Sequence, residues 1–147
     1  MSQVVTQVSR TIDAPSDEVW RALTTPTTLK TYFMGSDVES DWQVGHPIRF
    51  RGEYKGKAYE DHGEIRSFEP GRRLAFSHFS PLTGAKDAPE NYNLITIDLE
   101  AAGAKTRVTL TQAKLQGEPK ADDLKHKDEY AQTWTTVLTG LNKAVAG

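Results

Sequence analysis

The sequence predicts an α+β fold, a strongly curved antiparallel β-sheet of about seven strands wrapped around a long C-terminal helix, with two short helices after strand 1. Three observations carry this prediction. In the last stretch, 125–146, Tyr130, Trp134, Val137, Leu138, Leu141 and Val145 follow one another in steps of three and four, which places them on one helical face. Between Asp37 and Gln112 the pattern changes to short alternating runs punctuated by turn residues, a meander more than a set of βαβ units. Two helical segments lie between the first strand and that meander, so the order is β, α, α, about six β, then a long α.

Each element has its own warrant in the sequence. Val4, Thr6, Val8, Arg10 and Ile12 share one face and Val5, Gln7, Ser9 and Thr11 the other, a half-buried strand with Val4 and Ile12 on the same side. Asp13 to Glu18 opens a helix, with Pro15 at a first-turn position and carboxylates where the macrodipole favours them. Val19, Trp20 and Leu23 form its apolar side. Thr25-Pro26 stops that helix and can cap the next, which carries Leu29, Tyr32 and Phe33 until Gly35 ends it. A weak run over 37–41 starts the meander. After a bend at Val44-Gly45-His46-Pro47, Ile48, Phe50, Gly52 and Tyr54 alternate against Arg49, Arg51 and Glu53, and Lys55-Gly56 turns the chain. Tyr59, Gly63 and Ile65 share a parity in the next run, which Glu69-Pro70-Gly71 closes. Leu74, Phe76 and His78 follow on one face. The polar stretch 80–91 holds Pro81, Gly84 and Pro89 and reads as a long loop at the mouth of any cavity. Asn93, Ile95, Ile97 and Leu99, then Thr106, Val108, Leu110 and Gln112, make the last hairpin. A polar connection leads to the terminal helix, where Thr133, Thr135, Thr136, Thr139 and Gly140 are weak helix formers. Packing must hold that helix, and Gly140, beside the stripe, predicts a close approach to the sheet.

Composition narrows the function classes. At 147 residues, with 37% hydrophobic and 26% charged, the chain is expected to form a single domain spanning 1–147. No apolar run reaches the length of a membrane span, and the first residues lack a basic start with an apolar core, so a cytoplasmic location is expected. The absence of cysteine removes disulfides, thiol nucleophiles and cysteine-based metal sites. A net charge of -2 leaves no electrostatic footprint for nucleic acid.

Four stretches resemble one family. Ile12-Asp13-Ala14-Pro15-Ser16-Asp17-Glu18-Val19-Trp20-Arg21-Ala22-Leu23-Thr24 is similar to its strand-to-helix opening. Val44-Gly45 precedes a strand with Phe50, Gly63-Glu64-Ile65 leads to Pro70-Gly71-Arg72-Arg73-Leu74-Ala75-Phe76, and Thr106-Arg107-Val108-Thr109-Leu110-Thr111 comes last. In this order they resemble the helix-grip proteins grouped as START, birch-pollen-allergen-like and SRPBCC. The likeness is greatest to the branch named after the activator of heat-shock protein 90 ATPase. The sequence departs from that pattern at Tyr32, His46-Pro47 and His78. The resemblance implies the helix-grip fold. The superfold serves lipid carriers, cyclases, hydrolases and co-chaperone modules alike, so function has to come from the site.

Between a curved sheet and its long helix such a fold is expected to leave an apolar cavity with a few polar groups. Phe50, Tyr54, Phe76, His78, Ile95, Ile97, Tyr130 and Trp134 are the expected ligand-binding residues, although aromatics at such positions more often fill a core. None of His46, His62, His78 and His126 pairs with another at the spacing of a helical metal motif, so neither metal nor cofactor is expected. His78 shares the parity of Leu74 and Phe76 and is expected to point inward, where an imidazole can hydrogen-bond a ligand or exchange a proton. His62 is expected at the surface. Asp61, Glu64, Asp98 and Glu100 read as ordinary solvated strand faces, and no nucleophile elbow, phosphate loop or dinucleotide fingerprint is present. The expected function is binding of a small hydrophobic or amphipathic molecule without catalytic apparatus. The alternatives are a protein-binding module acting on a chaperone ATPase, implied by the family name, and a cyclase- or hydrolase-type enzyme using the same cavity.

Overall fold

The computed structural model describes residues 3–81 and 84–146, with Tyr54 described by its backbone alone. The chain runs β1 (Val4–Ile12), α1 (Ser16–Leu23), α2 (Pro26–Tyr32), β2 (Asp37–Ser40), β3 (Pro47–Tyr54), β4 (Lys57–Glu69) and β5 (Arg73–His78). It continues through a single 3₁₀ turn at Pro89–Asn91 to β6 (Asn93–Ala102), β7 (Lys105–Lys114), α3 (Ala121–Lys125) and α4 (Lys127–Ala146). The seven strands form one sheet in the order β1-β7-β6-β5-β4-β3-β2, and every neighbouring pair is antiparallel. From β2 to β7 the sheet is a meander. β1 lies against β7, so α1 and α2 carry the chain from one edge of the sheet to the other.

Alternation places the core. On β7, Thr106, Val108, Leu110, Gln112 and Lys114 are all buried, and Ile95, Ile97 and Leu99 on β6 face the same way. Leu74 and Phe76 of β5 and Ile48 and Phe50 of β3 extend this layer, and Trp134, Val137, Leu138 and Leu141 of α4 close it. The stripe read from the sequence is therefore the buried face of the helix. Its threonines spend their hydroxyls on the preceding turn. Thr133, Thr135, Thr136 and Thr139 each donate to the carbonyl four residues back, at 2.8–3.0 Å, which leaves no hydroxyl unsatisfied. Among the described residues no helix is long and apolar enough to cross a membrane.

Local chemistry explains the joints. Lys55 and Gly56 both take positive φ, 52° and 78°, as a two-residue hairpin turn of the mirror-image type requires. At Gly63 a Cβ would lie 1.7 Å from the Ser77 carbonyl oxygen, so only glycine lets β4 approach β5 there.

Four details differ from the sequence expectations. Val5 is 6% exposed and Val4 43%, because the register shifts by one residue between Val4 and Thr6 and turns the start of β1 over. Thr25 makes no side-chain cap for α2; its hydroxyl donates to Arg21 O at 2.6 Å and finishes α1 instead. The polar connection before the terminal helix carries a short helix of its own, α3, capped at His126, so the terminal helix begins at Lys127 and not at Lys125. Gly140 approaches α2 and not the sheet, since a Cβ there would stand 2.6 Å from Cβ of Tyr32.

Candidate functional site

A cleft of about 540 Å³ lies between Tyr130 of α4, residues 33–36 after α2, and the strands β3, β4 and β5. A second space of about 250 Å³ adjoins it toward β6 and β7, and the two share Met34, Asp61, His78, Ser80 and Tyr130. Phe50 sits at the base of the wall. Its ring lies 5.8 Å from Phe33 in a stacked arrangement and 5.4 Å from His78 edge-on. Phe33 in turn meets Trp134 at 5.9 Å. Such contacts hold the rings in fixed orientations.

The polar groups come from the strands. Inward parity on β4 gives Tyr59 and Asp61, and on β5 it gives His78. The His78 Nε2 lies 3.1 Å from Asp61 Oδ2, with the two side chains 26% and 15% exposed. Trp134 Nε1 donates to Gln112 Oε1 at 2.7 Å, and the hydroxyls of Ser36 and Tyr59 are 2.9 Å apart. Burial, followed by the nearby carboxylates Asp123, Asp122 and Glu129, pushes the Tyr130 hydroxyl above its ordinary pKa and favours its neutral form. Gly52 makes room for this arrangement, because a Cβ there would sit 2.6 Å from the Tyr59 hydroxyl.

Of the residues singled out from the sequence, Phe50, His78, Ile95, Tyr130 and Trp134 line the two spaces. Phe76 and Ile97 lie a layer deeper, around a void of about 10 Å³ that they share with Leu29 and Trp42. The side chain of Tyr54 lies outside the described residues. Sequence reasoning missed Met34, Ser36, Asp61, Asn93 and Gln112. Asp61 carried a signal, because it sits between Tyr59 and Gly63 on the parity of Ile65. It is an inward carboxylate and not part of a solvated face.

His62 is also not simply at the surface. Its side chain is 35% exposed, and Nε2 lies 3.0 Å from both Asp87 Oδ2 and Tyr92 OH on the outer face of the sheet. Tyr92 donates to Asp87 Oδ1 at 2.6 Å, which with His62 holds the Asp87 carboxyl below the usual carboxylate range. The segment after β5 is thus shared between two faces. Ser80 and Asn91 border the cleft, while Asp87 and Pro89 line an outer groove of about 520 Å³. Among the described residues no group of three or more histidines and carboxylates stands ready for a metal ion.

A long helix held across a curved antiparallel sheet is the helix-grip arrangement. The model of the family described as "Activator of Hsp90 ATPase homolog 1-like protein" matches residues 13–146. The chain belongs to that family. Protein ChR145 from Cytophaga hutchinsonii has a similar structure, with 43% identity, a TM-score of 0.76, and 94% of this chain and 90% of that one covered. Protein MLL2253 from Mesorhizobium loti shares the fold at 20% identity and a TM-score of 0.75, covering 96% of both chains. The Aha1 dimer from Colwellia psychrerythraea shares it at 20% identity and a TM-score of 0.67, covering 95% of this chain and 96% of that one. No curated protein matches the chain.

Proposed function

We propose that this chain acts as one domain that binds a small hydrophobic or amphipathic molecule in the cleft beneath α4, and that it does so in the cytoplasm. The observation that carries this is the cleft itself. About 540 Å³ of space is walled by Phe33, Phe50 and Tyr130, with a few polar groups at one side, the usual size and make-up of a small-molecule site. Phe50, His78, Ile95, Tyr130 and Trp134 are the proposed contacts.

Tryptophan emission tests the reading. Trp20 and Trp42 both pack on Phe68, at 5.2 and 6.3 Å, so a Trp20→Phe/Trp42→Phe variant leaves Trp134 as the sole reporter. Titration with the neutral apolar dye N-phenyl-1-naphthylamine should quench that emission saturably. No saturable change would remove the cleft from consideration.

The family description supports a second reading, a partner protein of the chaperone ATPase class. Stimulation of such an ATPase by the wild-type chain, undiminished when the cleft is blocked by Ser36→Trp, would favour it over ligand binding.

A further inference from the structure

The polar wall of the cleft restricts what can occupy it. Among the described residues, three buried side-chain atoms lack a hydrogen-bond partner, and two of them, Asp61 Oδ1 and Asn93 Oδ1, belong to residues that line the cleft. Both are acceptors. A carboxylate offers nothing else, and the other oxygen of Asp61 is already engaged by His78 Nε2 at 3.1 Å. The Tyr130 hydroxyl can give or take a proton, so it does not change the balance. The terminal torsions of Asp61 and Asn93 are soft, and either oxygen can turn toward an occupant without movement of its strand.

Charge points the same way. Glu53 and Asp61 line the cleft, among the described residues no lysine or arginine does, and His78, which also lines it, is already engaged by Asp61 at 3.1 Å. A carboxylate head group would set negative charge beside these carboxylates and leave the two buried oxygens unpaired, whereas a donor satisfies them. The stacked rings of Phe33 and Phe50 suit a flat apolar body.

We infer that the occupant is an apolar, ring-bearing molecule whose polar end donates hydrogen bonds, as an ammonium or a hydroxyl group does, and that carboxylate-headed amphiphiles such as free fatty acids are rejected. This inference rests on the ligand-binding reading above. Its test is a series with one ring and three head groups, 1-naphthylmethylamine, 1-naphthol and 1-naphthoate, titrated into the full chain near neutral pH by calorimetry. The amine and the naphthol should bind at least about tenfold more tightly than the naphthoate, and Asp61→Asn should shrink that gap. Naphthoate binding as tightly as the other two, or a gap unchanged in folded Asp61→Asn, overturns the donor rule and leaves ligand binding standing. Should Asp61→Asn fail to fold, Glu53→Gln takes its place and should reduce the lead of the amine over the naphthol; an unchanged lead overturns the charge argument. If none of the three binds while the neutral dye still quenches Trp134, the inference falls alone. If the dye fails as well, the binding reading falls with it.

Discussion

The indole N–H of Trp134 donates to the side-chain oxygen of Gln112 at 2.7 Å, a buried polar bond that fixes the start of the α4 stripe against the end of β7. The two residues are also where the packed core gives way to the cleft. Trp134→Ala should cost about 3–5 kcal/mol, the usual range for a large aromatic removed from a core. Trp134→Phe keeps most of the packing but leaves Gln112 without its donor, at a cost of about 1–3 kcal/mol. Urea unfolding should rank them in that order, and a Trp134→Ala midpoint close to that of wild type would show that the stripe does not carry the fold.

Gly140→Ala should destabilise even though alanine improves helix propensity by about 1 kcal/mol. The new methyl group would meet Cβ of Tyr32 at 2.6 Å, and Tyr32 cannot swing away, because its hydroxyl is bonded to Ala22 O at 2.9 Å. Overpacking of this kind costs about 1–3 kcal/mol. A raised melting temperature would contradict the close approach of α2 and α4.

Lys114 and Asp123 form an ion pair at 3.1 Å with side chains only 4% and 14% exposed. Asp123→Ala should therefore destabilise strongly, by about 3–5 kcal/mol, because a buried ammonium loses its partner. The double variant Lys114→Met/Asp123→Leu should recover most of that loss. If the double variant is no better than Asp123→Ala, the pair is not the reason for the cost.

Burial, then the hydrogen bond to Asp87, pushes the Tyr92 hydroxyl up to about 12. A raised folded-state pKa favours the neutral form, so its contribution is complete below the ordinary tyrosine value near 10 and is lost as pH rises from there toward about 12. Phenolate absorbance at 295 nm should show a late step near that upper value. Tyr92→Phe should lack the step and flatten the alkaline loss of stability. A wild-type titration completed near pH 10 would show that Tyr92 is free of Asp87.

Much of the fold was legible because apolar side chains mark buried faces. The α4 stripe and the Ile95-Ile97-Leu99 and Val108-Leu110 alternations need no further information than their spacing. The bulge near Val5 left no mark, since an extra residue in a strand requires no particular side chain. Gly140 announced a close neighbour without saying which, because a bare helix face fits α2 as well as a sheet. The cleft was harder to read for the opposite reason. Asp61, Asn93 and Gln112 point inward although their chemistry suggests water, and Met34 and Ser36 reach the cleft from a loop that has no periodicity.

The pairing of β1 with β7 joins residues near 4–12 to residues near 106–113, and this separation sets the order in which the molecule can assemble. The hairpins from β2 to β7 can each close locally, but β1 must wait until β7 exists. Closing so long a loop adds entropy only logarithmically with length, yet it slows the search, and such non-local pairing commonly places folding in the millisecond-to-second range. During synthesis the first strand would emerge long before its partner, with Val5 and Ile12 uncovered in the interval. The final step would bring β1, β7 and α4 together at once, so the cleft could take shape only after α4 has been made.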